Sequence, residues 1–397
     1  MNKKISVGIA VAFVLIAVTI TFTAAMIFSM NLFDSKVLSA QARAAMYEKL
    51  SEIDNIVRQN FYTTIDDETL SDNMAIGYIN GLQDADSSYL TSEEIAAREA
   101  TALGTKVTVG IEVEKDTSGY MLVNKIYNES SAQKVGLEVG DVITSVDGQD
   151  VLLVGYDAAV LLLDGIEGSK TTVVYNKAGE EQSAELTRAS AEIPSVEYTI
   201  VDDVCYIRVN AFCNTTITQF EYALNAAATN EGVVGVIIDL RDLFGGYNLE
   251  IAADMLDMLL PQGKLITGVY EGGERKVLYT SDDNSFSLPI SIIVNENTKG
   301  FSEVFAAVMA DSANCRLVGR TTAGKGTLQQ LVKLNDGSGV DITVAVIETP
   351  AGNVFNGSGV VPDFDVAAAD GFVRKAIPDE AYDAQFNKAM SVVRSLV

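Results

Sequence analysis

The chemistry open to this sequence is limited first by a residue type that it lacks. None of its 397 residues is histidine, which excludes every Ser-His or Cys-His dyad and every histidine-based metal site. A hydroxyl nucleophile would therefore need another base, and lysine is the usual substitute. Any catalytic dyad in this chain is expected to pair a hydroxyl with a lysine.

One segment combines a lysine with glycines at the spacing of a phosphate-binding loop. Gly319–Lys325 matches GxxxxGK and follows a predicted strand. Such a loop needs Ser or Thr directly after the lysine to meet Mg²⁺. Gly326 stands there instead, so we expect no nucleotide binding and no cofactor.

The cysteines do not indicate a metal or redox site. Cys205, Cys213 and Cys315 are far apart, and none forms a CxxC pair. Buried structural thiols are the expectation, while a disulfide between Cys205 and Cys213 stays open. We expect no metal site.

The charge of the chain bounds its partners. There are 28 Lys and Arg against 54 Asp and Glu, for a net charge of −26. An acidic surface repels phosphate backbones, so nucleic-acid binding is not expected. A hydrophobic content of 48% is typical of a folded protein, here of two or three domains.

The N-terminus predicts a membrane anchor within residues 1–36. Lys3 and Lys4 precede Ile5–Met30, a run of 26 residues without a charge. As a helix this run spans about 39 Å, whereas a bilayer core is about 30 Å thick. A cleaved signal peptide usually has a shorter apolar region. We therefore expect a single-pass protein of the cell membrane whose body lies outside the cytoplasm.

Hydrophobic periodicity divides the remainder into three parts. The predicted helices are Val37–Arg58, about Thr69 to Leu82, Ser92–Ala102, Ala132–Val135, Tyr156–Leu163, Thr216–Ala228, Leu249–Leu260 and Ser302–Ala310. The predicted strands are Val107–Val113, Tyr120–Ile126, Val142–Val146, Lys170–Tyr175, Val204–Val209, Val233–Leu240, Ile290–Val294, Arg316–Gly319 and Val340–Glu348. We expect an N-terminal helical segment (37–104), a β-rich domain (105–188) and an α/β core (189–397).

The β-rich domain resembles a PDZ domain. Lys106–Lys115 is similar to the carboxylate-binding loop and second strand of that fold, and Ser130–Val151 matches its Gly-Leu, Gly-Asp and Asp-Gly pattern. The resemblance implies that a peptide tail adds as a strand beside the domain, although a PDZ fold that only packs on its neighbour is the alternative. The implied peptide-binding residues are Val109, Gly110, Ile111, Glu112, Val113, Tyr156 and Val160.

Four further segments resemble the C-terminal processing peptidases, which are tail-specific serine proteases. Asp84–Leu90 is similar to the family's Asp-Pro-His-Ser-Ser-Tyr segment, with Asp86 in place of histidine. The other three are Asp239–Gly246, Thr321–Gln329 and Gly359–Val366, in the family's order. The resemblance covers about residues 45–370. It implies an α/β peptidase core with an inserted β-rich PDZ domain, N-terminal helices and a transmembrane anchor.

In that family a serine attacks the substrate and a neutral lysine accepts its proton. The resemblance assigns the lysine to Lys325 and the residue that orients it to Gln329. It assigns the oxyanion-hole loop to Gly245 and Gly246, since an N–H group there would face the developing negative charge.

The family's nucleophile is missing. Its serine lies 25 residues before the lysine, and that count reaches Gly300 in this chain. Lys299 and Phe301 also stand where the family has small residues. Ser302 is expected to cap a helix, although Ser302 and Thr298 stay open as displaced nucleophiles.

Two functions therefore compete. The first is a serine endopeptidase that cuts near protein C-termini, which the retained Lys325, Gln329 and glycine pair favour. The second is a pseudopeptidase that binds the C-terminal tails of extracytoplasmic proteins, which Gly300 favours.

Overall fold

The computed structural model describes residue 21 and residues 43–127, 129–192, 194–369, 374, 378 and 381–397. The predicted anchor Ile5–Met30 lies outside the described residues except for Thr21. Within the described ranges, no helix is both long and apolar enough to cross a membrane. The described residues form two compact units that divide between Met74 and Ala75.

The first unit is helical. α1 covers residues 43–60, and α2, Asp67–Asn80, begins in this unit. Asp66 accepts hydrogen bonds from the backbone N–H groups of Glu68 and Thr69, which is the usual role of aspartate at a helix start. The prediction of a second helix is confirmed, although it starts two residues earlier than expected.

The second unit alternates strands with helices to the C-terminus. Its elements up to residue 192 are β1 (Ser88–Leu90), α3 (Ser92–Leu103), β2 (Thr105–Thr108), β3 (Ile111–Lys115), β4 (Met121–Ile126), α4 (Ser131–Lys134), β5 (Val142–Val146), β6 (Gln149–Asp150), α5 (Val151–Val154), α6 (Tyr156–Leu161), β7 (Lys170–Lys177), β8 (Glu180–Thr187) and β9 (Ala189–Glu192). Those that follow are β10 (Val196–Val201), β11 (Val204–Val209), α7 (Asn214–Thr229), β12 (Gly235–Asp239), α8 (Leu249–Asp257), β13 (Gly263–Val269), a 3-10 turn (Glu271–Gly273), β14 (Arg275–Ser281), β15 (Ile290–Val294), α9 (Phe301–Ala310), β16 (Cys315–Gly319), β17 (Thr327–Lys333), β18 (Gly339–Glu348), β19 (Phe364–Asp365) and α10 (Ala384–Arg394).

The β-rich part is an antiparallel sheet in the order β3-β4-β5-β7-β8, with β6 paired to β5. Met121, Val123, Ile143 and Val173 are fully buried and form its core. The predicted single strand Val107–Val113 is wrong, because the chain turns at Gly110, where φ is 92°. As a result β2 leaves this sheet and pairs with β9 instead.

The α/β core is built on a six-stranded sheet with the order β10-β11-β12-β15-β16-β19. Its strands are parallel except β10. All five residues of β12 are buried, which confirms the strand predicted from its apolar run. Successive side chains of β12 face opposite sides. Ile238 packs with the residues of α7, α8 and α9, and Ile237 packs with those of α10.

A second sheet has the strand order β1-β18-β13-β14, and β17 is paired to β18. β17 was not expected from sequence, and it carries Gln329. β1 pairs with β18 through Ser88 and Asp341, and β18 also pairs with β17, the strand that follows Lys325.

The three cysteines are buried and free. The disulfide left open for Cys205 and Cys213 is therefore not formed, and burial raises the pKa of the Cys205 thiol to about 11. These thiols fill the core, as the sequence predicted.

Candidate active site and peptide groove

Gly300 forms a sharp turn between buried β15 and buried α9. It is the N-terminal cap of α9, with φ 73° and ψ −130°, angles that glycine adopts with far less strain than other residues. A strained strand-to-helix turn also presents the nucleophilic serine of the α/β-hydrolase elbow. The backbone at position 300 could therefore present a nucleophilic side chain in the same way, but glycine has no side chain that could attack a carbonyl.

The carboxylate of Glu303 joins this turn to the one that carries Lys325. Glu303 is fully buried, and its Oε2 accepts hydrogen bonds from the N–H groups of Gly300 at 2.9 Å and Lys325 at 2.8 Å. Its Oε1 accepts from the Gly324 N–H at 2.6 Å and from the Thr322 hydroxyl at 2.5 Å. The two turns that would carry a Ser–Lys dyad are therefore held side by side.

The side chain of Lys325 faces a carboxylate. Its Nζ lies 3.3 Å from Oδ1 of Asp86, and both side chains are about one-fifth exposed, at 20% and 21%. The Thr327 hydroxyl donates to Oδ2 of Asp86 at 2.6 Å. The amine of Lys325 is therefore engaged with Asp86 rather than left open toward position 300.

Gln329 contacts the Lys325–Asp86 pair indirectly, through the hydroxyl of Thr327. Its Nε2 donates to the hydroxyl of Thr327 at 2.6 Å and to that of Thr343 at 3.3 Å. The connection from Gln329 to Lys325 thus passes through Thr327 and Asp86. Lys325, Gln329 and Gly300 nevertheless line one small cavity of about 40 Å³.

The glycine pair is packed against the start of α9. The N–H of Gly245 donates to the carbonyl of Lys299 at 2.8 Å, and that of Gly246 donates to the carbonyl of Phe244 at 2.8 Å. A Cβ on Gly245 would lie 1.9 Å from the backbone nitrogen of Ser302, so the close approach requires glycine. In this conformation both N–H groups have protein partners, and the loop does not offer them to an oxyanion.

The remaining hydroxyls of the turn are buried and bonded. Ser302 is fully buried, and its hydroxyl lies 2.8 Å from the carbonyl oxygen of Leu243 and 3.0 Å from that of Lys299. Thr298 is also fully buried and donates to the carbonyl of Leu240 at 2.9 Å. Both side chains stabilise the contact between the glycine loop and α9.

Aromatic and charged residues that sequence reasoning missed complete the cavity at Gly300. Phe244 contacts the turn, since a Cβ at Gly300 would lie 3.3 Å from its ring. Arg98 lies 4.2 Å from the ring centroid of Tyr247 and 2.6 Å from Asp341. Asp86 alone had a signal, because it replaces a histidine of the family motif. No motif marked Arg98 or Asp341, which other elements bring to the site.

The loop before β3 has the orientation of a carboxylate-binding loop. The carbonyls of Val109 and Gly110 accept from the N–H groups of Ala132 and Tyr127, so they are directed into the domain. The N–H of Gly110 donates to the Thr108 hydroxyl at 3.1 Å. A peptide carboxylate at this loop would compete with that hydroxyl for the Gly110 amide.

A tyrosine at the start of α6 bonds the main chain of β3. β3, which contains Ile111, Glu112 and Val113, is the edge strand of its sheet. The hydroxyl of Tyr156, the first residue of α6, donates to the carbonyl of Val113 at 3.0 Å. Val160 packs against the PDZ core from the same helix. Of the predicted peptide-binding residues, Val113 and Tyr156 are thus in contact, whereas the side chains of Val109 and Ile111 are buried in the core of the domain.

Nothing in the described part of the chain forms a cluster of three or more Cys, Asp or Glu side chains suited to a metal ion.

Burial raises the pKa of Asp84, but hydrogen bonds from Ser87 and Thr343 and from the backbone N–H groups of Asp86 and Ser87 outweigh it and hold that pKa below its usual range. Asp84 thereby fixes the loop that presents Asp86.

Comparisons with known proteins agree with this architecture. The model of peptidase family S41 matches residues 203–366, and that of the PDZ domain matches residues 96–175. The probable CtpA-like serine protease of Staphylococcus haemolyticus (strain JCSC1435) is 28% identical over 335 residues, which cover 83% of this chain and 67% of the relative. The carboxy-terminal processing protease CtpA of Bacillus subtilis (strain 168) is 29% identical over 335 residues, with 84% and 71% covered.

The matched region thus spans about two thirds of the length of these relatives. A solved structure of an S41 protease from Bacteroides fragilis NCTC 9343 superposes with a TM-score of 0.56 at 16% identity, covering 87% of this chain and 97% of that one. Its likeness shows a common fold. Two family models in the expected order and several relatives confirm the resemblance drawn from the motifs. The chain thus contains a domain of peptidase family S41 and a PDZ domain, and over most of its length it is similar to the C-terminal processing peptidases.

Proposed function

We propose that this protein binds the C-terminal tails of other proteins through its PDZ domain and does not cleave them with a Ser–Lys dyad. The observation that carries the proposal is the turn at position 300, which keeps the backbone geometry of a nucleophile but has glycine there. The buried Ser302 hydroxyl is engaged with backbone carbonyls and is not placed to replace the missing side chain.

The PDZ groove supports the binding part. β3 lies at the edge of its sheet, where an added strand can take up main-chain hydrogen bonds. The carbonyl of Val113 accepts from the Tyr156 side chain, so it faces α6, where an added strand would lie. The Gly110 N–H donates to the Thr108 hydroxyl, and a peptide carboxylate would have to displace that hydroxyl.

The contacts around Lys325 and the Gly245–Gly246 loop support the absence of Ser–Lys cleavage. Lys325 is paired with Asp86, and the N–H groups of Gly245 and Gly246 are bonded to backbone carbonyls. A Ser–Lys peptidase needs a hydroxyl, a neutral lysine and N–H groups directed at the oxyanion. In this conformation the hydroxyl is missing, the lysine is paired with a carboxylate, and the N–H groups are bonded to carbonyls.

The test uses fluorescent peptides with an apolar C-terminal residue, as the free acid and as the amide. Charge-assisted hydrogen bonds contribute about 1.5–3 kcal/mol, so amidation should weaken binding about tenfold or more. Equal affinity for both peptides would contradict binding through the carboxylate. The same peptides carrying a quencher should stay intact with the wild-type protein.

Peptidase activity is the second candidate, because Lys325, Gln329 and Gly300 line one cavity and the family is proteolytic. If the wild type cleaves and Ser302→Ala does not, Ser302 is a displaced nucleophile and the pseudopeptidase proposal fails. Thr298→Ala serves as the matched control, since Thr298 is equally buried in the same turn.

We further propose that residues 5–30 anchor the protein in the cell membrane with the body outside the cytoplasm. The support is the charge-free run behind Lys3 and Lys4. Protease added to intact cells should digest the body. Protection of the body in intact cells, with digestion after lysis, would contradict the proposed orientation.

A further inference from the structure

We propose that Asp86 is a positioning residue that engages the Lys325 side chain in an ion pair, so that in this protein the lysine is occupied and the nucleophile is absent. The inference rests on the proposed function and deepens it. It implies that a hydroxyl restored at position 300 would find the Lys325 amine already bonded to Asp86.

Lys325 is held at both of its ends by carboxylates. Its backbone N–H donates to the buried Glu303 at 2.8 Å, and its Nζ lies 3.3 Å from Asp86. The first contact fixes where the lysine starts, and the second fixes where its charge lies. A flexible four-carbon side chain with both ends held samples few other positions.

Asp86 is itself held in place by a chain of hydrogen bonds. Its second oxygen accepts from Thr327, whose hydroxyl in turn accepts from Gln329. The Asp86 N–H donates to Asp84 at 3.2 Å. The residue that the family motif uses to orient the lysine, Gln329, thus supports the carboxylate in this chain.

The surroundings of Lys325 contain further charges on two sides. The larger cavity next to it is lined by three more charged residues, Asp84, Glu296 and Lys299. On the side of Gly300 the charged residues are Arg98 and Asp341, which pair with each other. Among the residues that the structure describes, Asp86 is the carboxylate at ion-pair distance from Lys325, so its removal should have the largest effect.

The decisive measurement does not require turnover. The full-length protein is treated with an amine-selective acylating reagent at several pH values, and labelling of each lysine is followed by mass spectrometry. Asp86→Asn keeps the shape and an acceptor for Thr327 but removes the charge. We expect Lys325 to react faster in this variant than in the wild type, because its amine is no longer held in an ion pair. Asp86→Glu should retain the slow labelling of the wild type.

A second ion pair provides the matched control. Lys170 and Glu185 are paired on the surface with 61% and 57% of their side chains exposed. Exposed pairs contribute little, so Glu185→Gln should change the labelling of Lys170 by less than about twofold. Equal labelling of Lys325 in the wild type and in Asp86→Asn would overturn the proposal.

Binding of free-acid and amidated tails is measured separately, so failure of tail binding leaves the labelling result unchanged.

Discussion

The backbone N–H groups of Gly300 and Lys325 donate to the same carboxylate oxygen, Oε2 of Glu303, at 2.9 and 2.8 Å. The missing nucleophile and the retained lysine therefore lie on adjacent turns, although 25 residues separate them in sequence. This shared carboxylate fixes the position of Lys325 relative to residue 300, on which the proposed function depends.

Glu303→Gln should lower the free energy of unfolding by about 2–4 kcal/mol. Four donors converge on this buried carboxylate, and an amide would direct its own NH₂ at two of them, leaving buried donors unsatisfied. Urea unfolding measures the change. Glu296→Gln, an exposed glutamate seven residues earlier, should change stability by less than about 0.5 kcal/mol. Similar losses in both variants would contradict the role of Glu303.

Gly300→Ser should fold but lose about 1–3 kcal/mol of stability. A side chain there adopts φ 73° and ψ −130°, which is strained for any residue with a Cβ, and its Cβ would lie 3.3 Å from Phe244. Gly272→Ser is the control for positive φ alone. Gly272 has φ 77° and ψ 3°, and no atom lies within 4 Å of an added Cβ. If Gly300→Ser proves no less stable than the control, the strain at position 300 has been overestimated.

Tyr156→Phe should raise the affinity of the PDZ domain for free-acid tails by about three- to tenfold. The Tyr156 hydroxyl occupies the carbonyl of Val113 at 3.0 Å, and a net hydrogen bond contributes about 0.5–1.5 kcal/mol that a peptide has to displace. Fluorescence anisotropy measures the change. Tyr175→Phe removes a hydroxyl that bonds Gln182 elsewhere in this domain and should leave the affinity unchanged. Weaker binding by Tyr156→Phe would show that the hydroxyl contacts the peptide.

Acid should destabilise the core through Asp239. Burial opposes its ionisation, but the charge and hydrogen bonds of Arg241, aided by Arg374 and Tyr206, hold the pKa of Asp239 below its usual value. Because the folded pKa is depressed, the stabilisation is present above the unfolded value of about 3.9 and is lost as pH falls through the folded pKa. The free energy of unfolding should therefore fall steeply below about pH 4.

This dependence also tests the attachment of α10. Arg241 bonds both Asp239 and Asp383, and Asp383 caps the first turn of α10. Asp239→Asn should flatten the acid slope of stability between pH 5 and 2. An unchanged slope in this variant would assign the acid sensitivity to other carboxylates.

Several elements followed from local patterns. α3 begins at the predicted residue and ends one residue later than expected, with Thr91 and Glu94 forming its capping box, and β11 and β15 have the predicted bounds. These signals are local, since a cap involves residues three apart and a buried parallel strand is an apolar run. β17 was missed because its buried and exposed residues do not alternate cleanly, so its position depends on pairing with β18.

The sequence by itself determined the family, the PDZ module and the absence of a serine at position 300, because each depends on residue types at set spacings along the chain. Only the tertiary structure decided how the remaining groups are used. The Lys325–Asp86 pair joins residues more than 200 positions apart, and the N–H of Gly245 donates to a carbonyl of the loop before α9. Such contacts depend on where distant segments meet and on the direction of each N–H and carboxylate, which spacing along a sequence does not encode.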